Sequence, residues 1–288
     1  MGEKKCIRRK PLKELQLKDD FLFGELMLDR KASKNVLEIV LGRPIGEIVF
    51  QGKEETISGG YTKKGIRMDV FMKDKKEGYF DVEMQIRDMQ NIPRRMRHYQ
   101  AVCDVRVLPI GEVGYGKLIP SHIIFICTFD QYGRGRYCYT FENRCIEEPD
   151  LAFGDGTKKI ILNTKGTNNR ETNPELIEFL RLVEDMDSFE PEYERVKYVK
   201  EQAMKIKEKE GMEEKYMMAM IHENEIRFDA RQEEKRDILM RMLCNGQTPE
   251  AISKMTDEPL SFVYEVQKEY LQTVKEGSDW NGEKKETL

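Results

Sequence analysis

The stretch Ile66-Arg67-Met68-Asp69-Val70-Phe71-Met72, then Lys73-Asp74-Lys75-Lys76-Glu77-Gly78, then Tyr79-Phe80-Asp81-Val82-Glu83-Met84-Gln85-Ile86 carries most of what this chain discloses. In its first part Ile66, Met68, Val70 and Met72 alternate with Arg67, Asp69 and Phe71, and in its last part Phe80, Val82, Met84 and Ile86 alternate with Asp81, Glu83 and Gln85. Period two marks half-buried strands, each with one apolar and one polar face. The linker is short, charged and closed by glycine, so it predicts an antiparallel hairpin. A turn centred on Lys76 pairs Asp74 with Gly78, Phe71 with Asp81, Asp69 with Glu83 and Arg67 with Gln85. Asp69 and Glu83 then face each other on the polar side, with Cβ atoms roughly 5 Å apart, where like charges destabilise unless something positive lies between them. A divalent cation supplies that charge. Magnesium binds through one or two carboxylates and completes its shell with water and substrate phosphate. The spacing therefore points to metal-dependent phosphoryl transfer, against the plainer alternative of a solvated acidic face.

Outward from the hairpin the elements follow from periodicity. Asp19 or Asp20 is a helix N-cap, and Phe23, Leu26 and Met27, then Val36, Leu37, Val40 and Leu41, keep helical spacing up to Gly42-Arg43-Pro44. A strand near Ile48 to Ile57 precedes the hairpin, a helix runs from about Pro93 to Val107, and the apolar run from His122 to Phe129 reads as a strand buried on both faces. Tyr137 to Asn143 and Ile160 to Asn163 are further strands around a Gly154-Asp155-Gly156 turn. The fold class is α/β, in the order α-β-β-β-α-β, with a mixed sheet flanked by helices and an α-helical C-terminal extension.

Composition bounds the rest. A length of 288 residues suffices for one substantial domain and an appendage, and with 35% charged residues and a net charge of −4 the global balance does not announce a nucleic-acid binder. Locally, residues 1–18 form a basic arm in which seven Lys and Arg oppose Glu3 and Glu14; it either touches phosphates or is merely solvated. No apolar run reaches membrane-span length and no h-region follows the basic start, so a cytoplasmic protein is expected. The six cysteines, Cys6, Cys103, Cys127, Cys138, Cys145 and Cys244, contain no CxxC pair and read as reduced, buried thiols. The three histidines, His98, His122 and His222, are too scattered for a histidine-based metal site.

After Pro174 helix formers dominate, and the chain divides into a core over 19–188, charged long helices over 189–245, a helical hairpin over 246–275 and a disordered tail over 276–288. The hairpin's layout resembles a helix-turn-helix. Its last helix, Ser261 to Tyr270, carries Glu265, Lys268 and Glu269 and little positive charge, which favours a structural role over reading DNA. On the helix near residue 95, Arg95 and Tyr99 are four apart and share a face flanked by Arg94 and Arg97. Two readings stand there: Arg95 contacts the scissile phosphate or braces the acidic site, or the face is a solvated basic one around a core tyrosine.

In order and spacing, the segments Lys18-Asp19-Asp20-Phe21-Leu22-Phe23-Gly24, Ile66-Arg67-Met68-Asp69-Val70, Asp81-Val82-Glu83-Met84-Gln85 and Arg95-Met96-Arg97-His98-Tyr99-Gln100, continued by Ile124 to Asp130, Tyr139 to Asn143 and Leu162-Asn163-Thr164, resemble the PD-(D/E)XK nuclease superfamily. The closer likeness is to its recombination-promoting nuclease, or putative transposase, branch, over roughly residues 18–185. No one motif is specific; their succession is. The resemblance implies a restriction-endonuclease-like core and a metal-dependent endodeoxyribonuclease linked to recombination or a mobile element. Asp69, Glu83 and the Met84 carbonyl would hold Mg²⁺ (or Mn²⁺), with Glu38 of the first helix as a further ligand. Gln85 would position the attacking water, and Arg95, Arg97 and Arg94 would bind DNA phosphates with Tyr99 and Arg67 in support. DNA held through phosphates and a homodimer are the partners so implied, and a non-catalytic DNA-binding or interaction protein on the same fold is the alternative. Two positions depart from the superfamily pattern: Met68 stands where proline is usual, and Gln85 where lysine is usual. An amide hydrogen-bonds but brings no charge to the developing phosphorane.

Overall fold

The computed structural model describes residues 10–57, 66–74, 78–108, 114–116 and 118–282, with the side chains of 50–57, 66–71, 106 and 273–282 outside that description. Helices α1 (Asp20–Leu26) and α2 (Arg30–Leu41) lead into strands β1 (Ile48–Ile57), β2 (Ile66–Asp74) and β3 (Gly78–Gln85). Helix α3 (Ile92–Val107) follows, then β4 (Ser121–Cys127), β5 (Cys138–Phe141), β6 (Thr157–Asn163), α4 (Pro174–Glu184) and α5 (Glu194–Glu208). The six strands form one mixed sheet in the order β1-β2-β3-β4-β6-β5. β1, β2 and β3 are antiparallel, β3, β4 and β6 parallel, and β5 returns antiparallel on the far edge. The chain is thus an α/β protein with helices flanking the sheet. Two compact units divide it, Met1–Tyr216 and Met217–Leu288.

The hairpin register is the one its turn dictates: Phe71 pairs with Asp81 and Asp74 with Gly78. Gly78 has φ +92°, and a Cβ there would meet the Pro120 carbonyl, so both backbone conformation and space require glycine at this turn.

Two expectations are corrected. Where periodicity predicts one helix from Asp19 or Asp20 to Gly42, there are two, because the Asp29 carboxylate accepts the Ala32 N–H at 2.7 Å and caps a fresh helix start. The second concerns the half-buried strands. β3 is buried along almost its whole length, with Asp81 and Glu83 only 0% and 2% exposed. Its place between β2 and β4 puts it inside the sheet, and α3 closes over the face that alternation marks as polar. Tyr79 on that face joins Ile123, Phe125, Cys127 and Ile161 in a core sealed by Ile92, Met96, Tyr99 and Cys103 of α3. Phe80, Val82, Ile124, Ile126 and Leu162 are fully buried on the opposite face.

Polar groups under α3 bond to one another. Gln100 donates to the Tyr79 hydroxyl at 2.8 Å and to Asp104 at 3.1 Å, contacts Ser121, and Tyr79 in turn donates to Asp104 at 2.8 Å. Burial drives the Tyr79 phenol far above its ordinary range.

α5 packs on α1, α2 and α4 through Val196, Val199 and Ala203, so this part of the charged region belongs to the core. α6 (Met212–Cys244) runs across the division between the units. In the second unit α7 (Pro249–Thr256) and α8 (Leu260–Gly282) fold on the end of α6 around Leu239, Leu243, Ile252, Val263 and Val266. No proline interrupts α8, and its backbone stays helical to Gly282, past the point where a disordered tail is expected; residues 283–288 lie outside the described residues. The cysteines also differ from expectation. Cys103 and Cys127 are buried, Cys138 and Cys145 half-buried and Cys244 exposed, all as free thiols; Cys6 lies outside the described residues, as does most of the basic arm. Among the described residues no helix is long and apolar enough to cross a membrane.

One ionic cluster ties the start of the core to its end. Partial burial works to raise the Glu184 carboxyl, but Lys165 at 2.7 Å, Thr164 at 2.7 Å and Lys18 at 3.2 Å outweigh it and hold the group at about 2. A depressed folded pKa contributes stability that is complete above the unfolded value and lost as pH falls through the folded one. Unfolding free energy is therefore expected to drop by roughly 1–2 kcal/mol between about pH 5 and pH 2 from this group, after discounting for solvent screening. Glu184→Gln should flatten that part of a urea-denaturation pH profile; an unchanged slope would exclude the cluster as its source.

Candidate functional site

The end of β3 and the first turns of α3 assemble a polar site. After Gln85 the chain turns sharply: Asp88 accepts the Gln90 N–H at 2.7 Å while Gln90 takes φ +52°, and α3 starts at Ile92 with Pro93 in its first turn. Ile92, Met96, Tyr99 and Cys103 recur at helical spacing and form the seam that α3 buries on the sheet. Arg95, one residue before Met96, sits on the flank of that seam and reaches down to the strand.

The Arg95 guanidinium organises the site. It donates to Gln85 Oε1 at 2.6 Å, to Glu83 Oε2 at 3.2 Å and to the Tyr99 hydroxyl at 2.9 Å, and lies 5.2 Å from the Phe125 ring centre. Its head keeps access to water, whereas the Glu83 side chain is 2% exposed. A guanidinium has only donors, so it selects the oxygen of the Gln85 amide and leaves Nε2 for the Met84 carbonyl, at 2.6 Å. Tyr99 stands under the pair. Burial, then the Glu83 charge, push its phenol up to about 12, only partly offset by Arg95, so it remains neutral at physiological pH and accepts from Arg95.

Asp81 is the residue sequence reasoning passed over. It shares the α3-facing side of β3 with Glu83, is fully buried, and its charge adds to the upward pressure on Tyr99. Its alternation with Val82 was visible in the sequence; its burial depends on α3.

Asp69 lies on β2, one residue before Val70, where the observed pairing with β3 ends at Val82; the expected pairing of Asp69 with Glu83 lies beyond that register. The side chains of Asp69 and Arg67 lie outside the described residues. Arg94 and Arg97 are exposed on the outer side of α3, and neither makes an ion pair among the described residues. Arg87, in the turn before α3, is equally exposed.

Glu38 does not join this group. Its Oε1 accepts the Ile45 N–H at 3.1 Å and its Oε2 pairs with Arg195 at 3.2 Å, while Arg195 also holds Glu175 at 2.5 Å. The network fastens α2 to α4 and α5, which corrects the expectation of a metal ligand: the carboxylate already has a structural cation. Nothing local distinguished these outcomes, because Arg195 arrives from more than 150 residues away.

Among the described residues no cluster of three or more His, Cys, Asp and Glu side chains is placed to hold a metal ion. The site does offer a buried carboxylate, an amide and a backbone carbonyl, all hard oxygen donors of the kind magnesium takes.

In the second unit, Arg236 of α6 pairs with Glu265 and Glu269 of α8, each at 2.7 Å, and lies 5.1 Å from the Phe262 ring centre. The two acidic residues of the candidate recognition helix thus serve the hairpin's own packing. Comparison of the chain with family models, curated proteins and solved structures finds no match.

Proposed function

We propose that this chain is a Mg²⁺-dependent DNA endonuclease of the PD-(D/E)XK kind, with a restriction-endonuclease-like core, acting in recombination or with a mobile element. The observation that carries the reading is the buried Glu83 carboxylate, held by Arg95 beside Gln85 on the strand paired with that of Asp69. A buried carboxylate is retained at such a cost in desolvation mainly where its charge is used. Asp69, Glu83 and the Met84 carbonyl would hold the metal. When bound, Mg²⁺ acidifies a coordinated water and neutralises charge on the scissile phosphate. Gln85 orients that water by hydrogen bonding, Arg95 pairs with Glu83 and aligns it, and Arg94 and Arg97 meet the DNA backbone from the exposed side of α3. Recognition through phosphates gives weak sequence preference and steep salt dependence. Cutting both strands takes two sites, hence a homodimer on DNA.

One observation favours the rival, a non-catalytic DNA-binding or interaction protein on this fold. The Gln85 amide already occupies both the Met84 carbonyl and Arg95. A plasmid-nicking assay separates the two. The nuclease reading expects cutting with Mg²⁺ or Mn²⁺, none with EDTA, and none from Asp69→Ala. Equal cutting by wild type and Asp69→Ala sinks it, and DNA binding without cutting by wild type selects the rival.

A further inference from the structure

The far edge of the sheet has an unused strand face. β5 bonds on one side only, to β6. In that ladder Tyr139 lies opposite Ile161 and Phe141 opposite Lys159, and just before it the Asn163 N–H donates to the Tyr137 carbonyl at 2.9 Å. Hydrogen-bonded pairs alternate along antiparallel strands, so they fall on residues 137, 139 and 141. The N–H and C=O of Cys138 and Thr140 consequently point away from the sheet.

Open edges are normally blunted by shortness, charge, proline, a bulge or a covering element. β1, the opposite edge, has a register shift between Ile48 and Phe50 and the charged run Lys53-Glu54-Glu55. β5 is short, four residues, and beyond that Cys138-Tyr139-Thr140-Phe141 has no charge, no proline and no break in register. Beside it lies a cleft of about 470 Å³, walled by Ile39 and Val40 at the end of α2 and by Thr172 and Leu176 around the start of α4. Two cations line the cleft. Arg136 is 3.4 Å from a Glu171 carboxylate that is almost wholly in water, a contact worth little. Arg170 is exposed and makes no ion pair among the described residues.

We propose that this edge docks an extended polypeptide segment carrying an acidic side chain, added to the sheet as a further strand. The backbone groups of Cys138 and Thr140 supply the ladder, the exposed Phe141 ring at the cleft takes an apolar side chain, and Arg170 takes the carboxylate. Strand addition draws affinity from main-chain bonds and specificity from alternate side chains, and the charge left unmatched at Arg170 selects an acidic partner.

The test is to pan random decapeptides displayed on phage against the immobilised full chain, then titrate the leading synthetic peptide with wild type, Thr140→Pro and Arg170→Glu. Proline removes an N–H that the β6 ladder does not use and is tolerated on edge strands; Arg170→Glu is an exposed change that spares the fold if Thr140→Pro does not. Enriched peptides are expected to carry an acidic residue in an alternating pattern and to bind each variant at least about tenfold more weakly, as loss of a charge-assisted or main-chain contact implies. No enrichment over the bare support, or affinity retained by Arg170→Glu or by folded Thr140→Pro, overturns the proposal. Neither residue belongs to the Glu83 site, so the outcome is independent of nuclease activity.

Discussion

Under the proposed nuclease function, Glu83→Gln is expected to lower Mg²⁺-dependent DNA cleavage by at least ~100-fold, the scale seen when one charge-stabilising group leaves an active site, while changing folding stability by no more than about 1 kcal/mol. The reasoning rests on what glutamine keeps. It has nearly the same volume and still presents an oxygen to Arg95 Nη2, the contact now made at 3.2 Å. Arg95, whose side chain is 28% exposed, retains water and is not stranded as a buried, uncompensated cation. Asp81, on the same buried face, loses a like-charged neighbour. Only the charge disappears, and on the proposed nuclease reading the metal is what depends on it most. Cleavage of supercoiled plasmid and thermal unfolding, measured on the same preparation, check both halves. Cleavage that survives, or a large loss of stability, would assign Glu83 to bracing α3.

Arg95→Ala carries the opposite signature. The substitution removes three hydrogen bonds, to Glu83, Gln85 and Tyr99, and takes this cation from a carboxylate that is 2% exposed. Breaking a buried pair from one side typically costs about 3–5 kcal/mol; with one partner partly in water, a loss of about 3 kcal/mol is expected. Arg95→Lys should recover less than half of it, because an ammonium is a point donor and cannot span an amide, a carboxylate and a phenol in one plane. In the double variant with Glu83→Gln most of the loss should vanish, since the Glu83 charge is gone as well. Chemical denaturation of the four proteins gives the coupling energy. Additive losses would mean that Arg95 acts through packing on Tyr99 and Phe125 and not through the Glu83 charge.

Much of the fold was legible locally. Alternation in Ile66–Ile86 and a short charged turn ending in Gly78 were enough to place two strands and their register, because the period of a strand and the geometry of a hairpin are properties of neighbouring residues. The same holds for α3, whose seam of Ile92, Met96, Tyr99 and Cys103 is written at helical spacing. The break between α1 and α2 was written too, in Asp29 three residues before Ala32, but apolar periodicity on both sides concealed it.

The site was legible only in part. Sequence by itself determined that Glu83 and Gln85 share a strand face, that Asp69 belongs to the facing strand, and that Arg95 and Tyr99 share a helix face, since each statement follows from a backbone period. Only the tertiary structure decided that α3 lies over that strand face, which buries Asp81 and Glu83 and brings Arg95 to Glu83 and Gln85. It alone gave Glu38 to Arg195. The physical reason is common to both: the partner of a buried charge is chosen by packing between elements distant in the chain, and no local period encodes that choice.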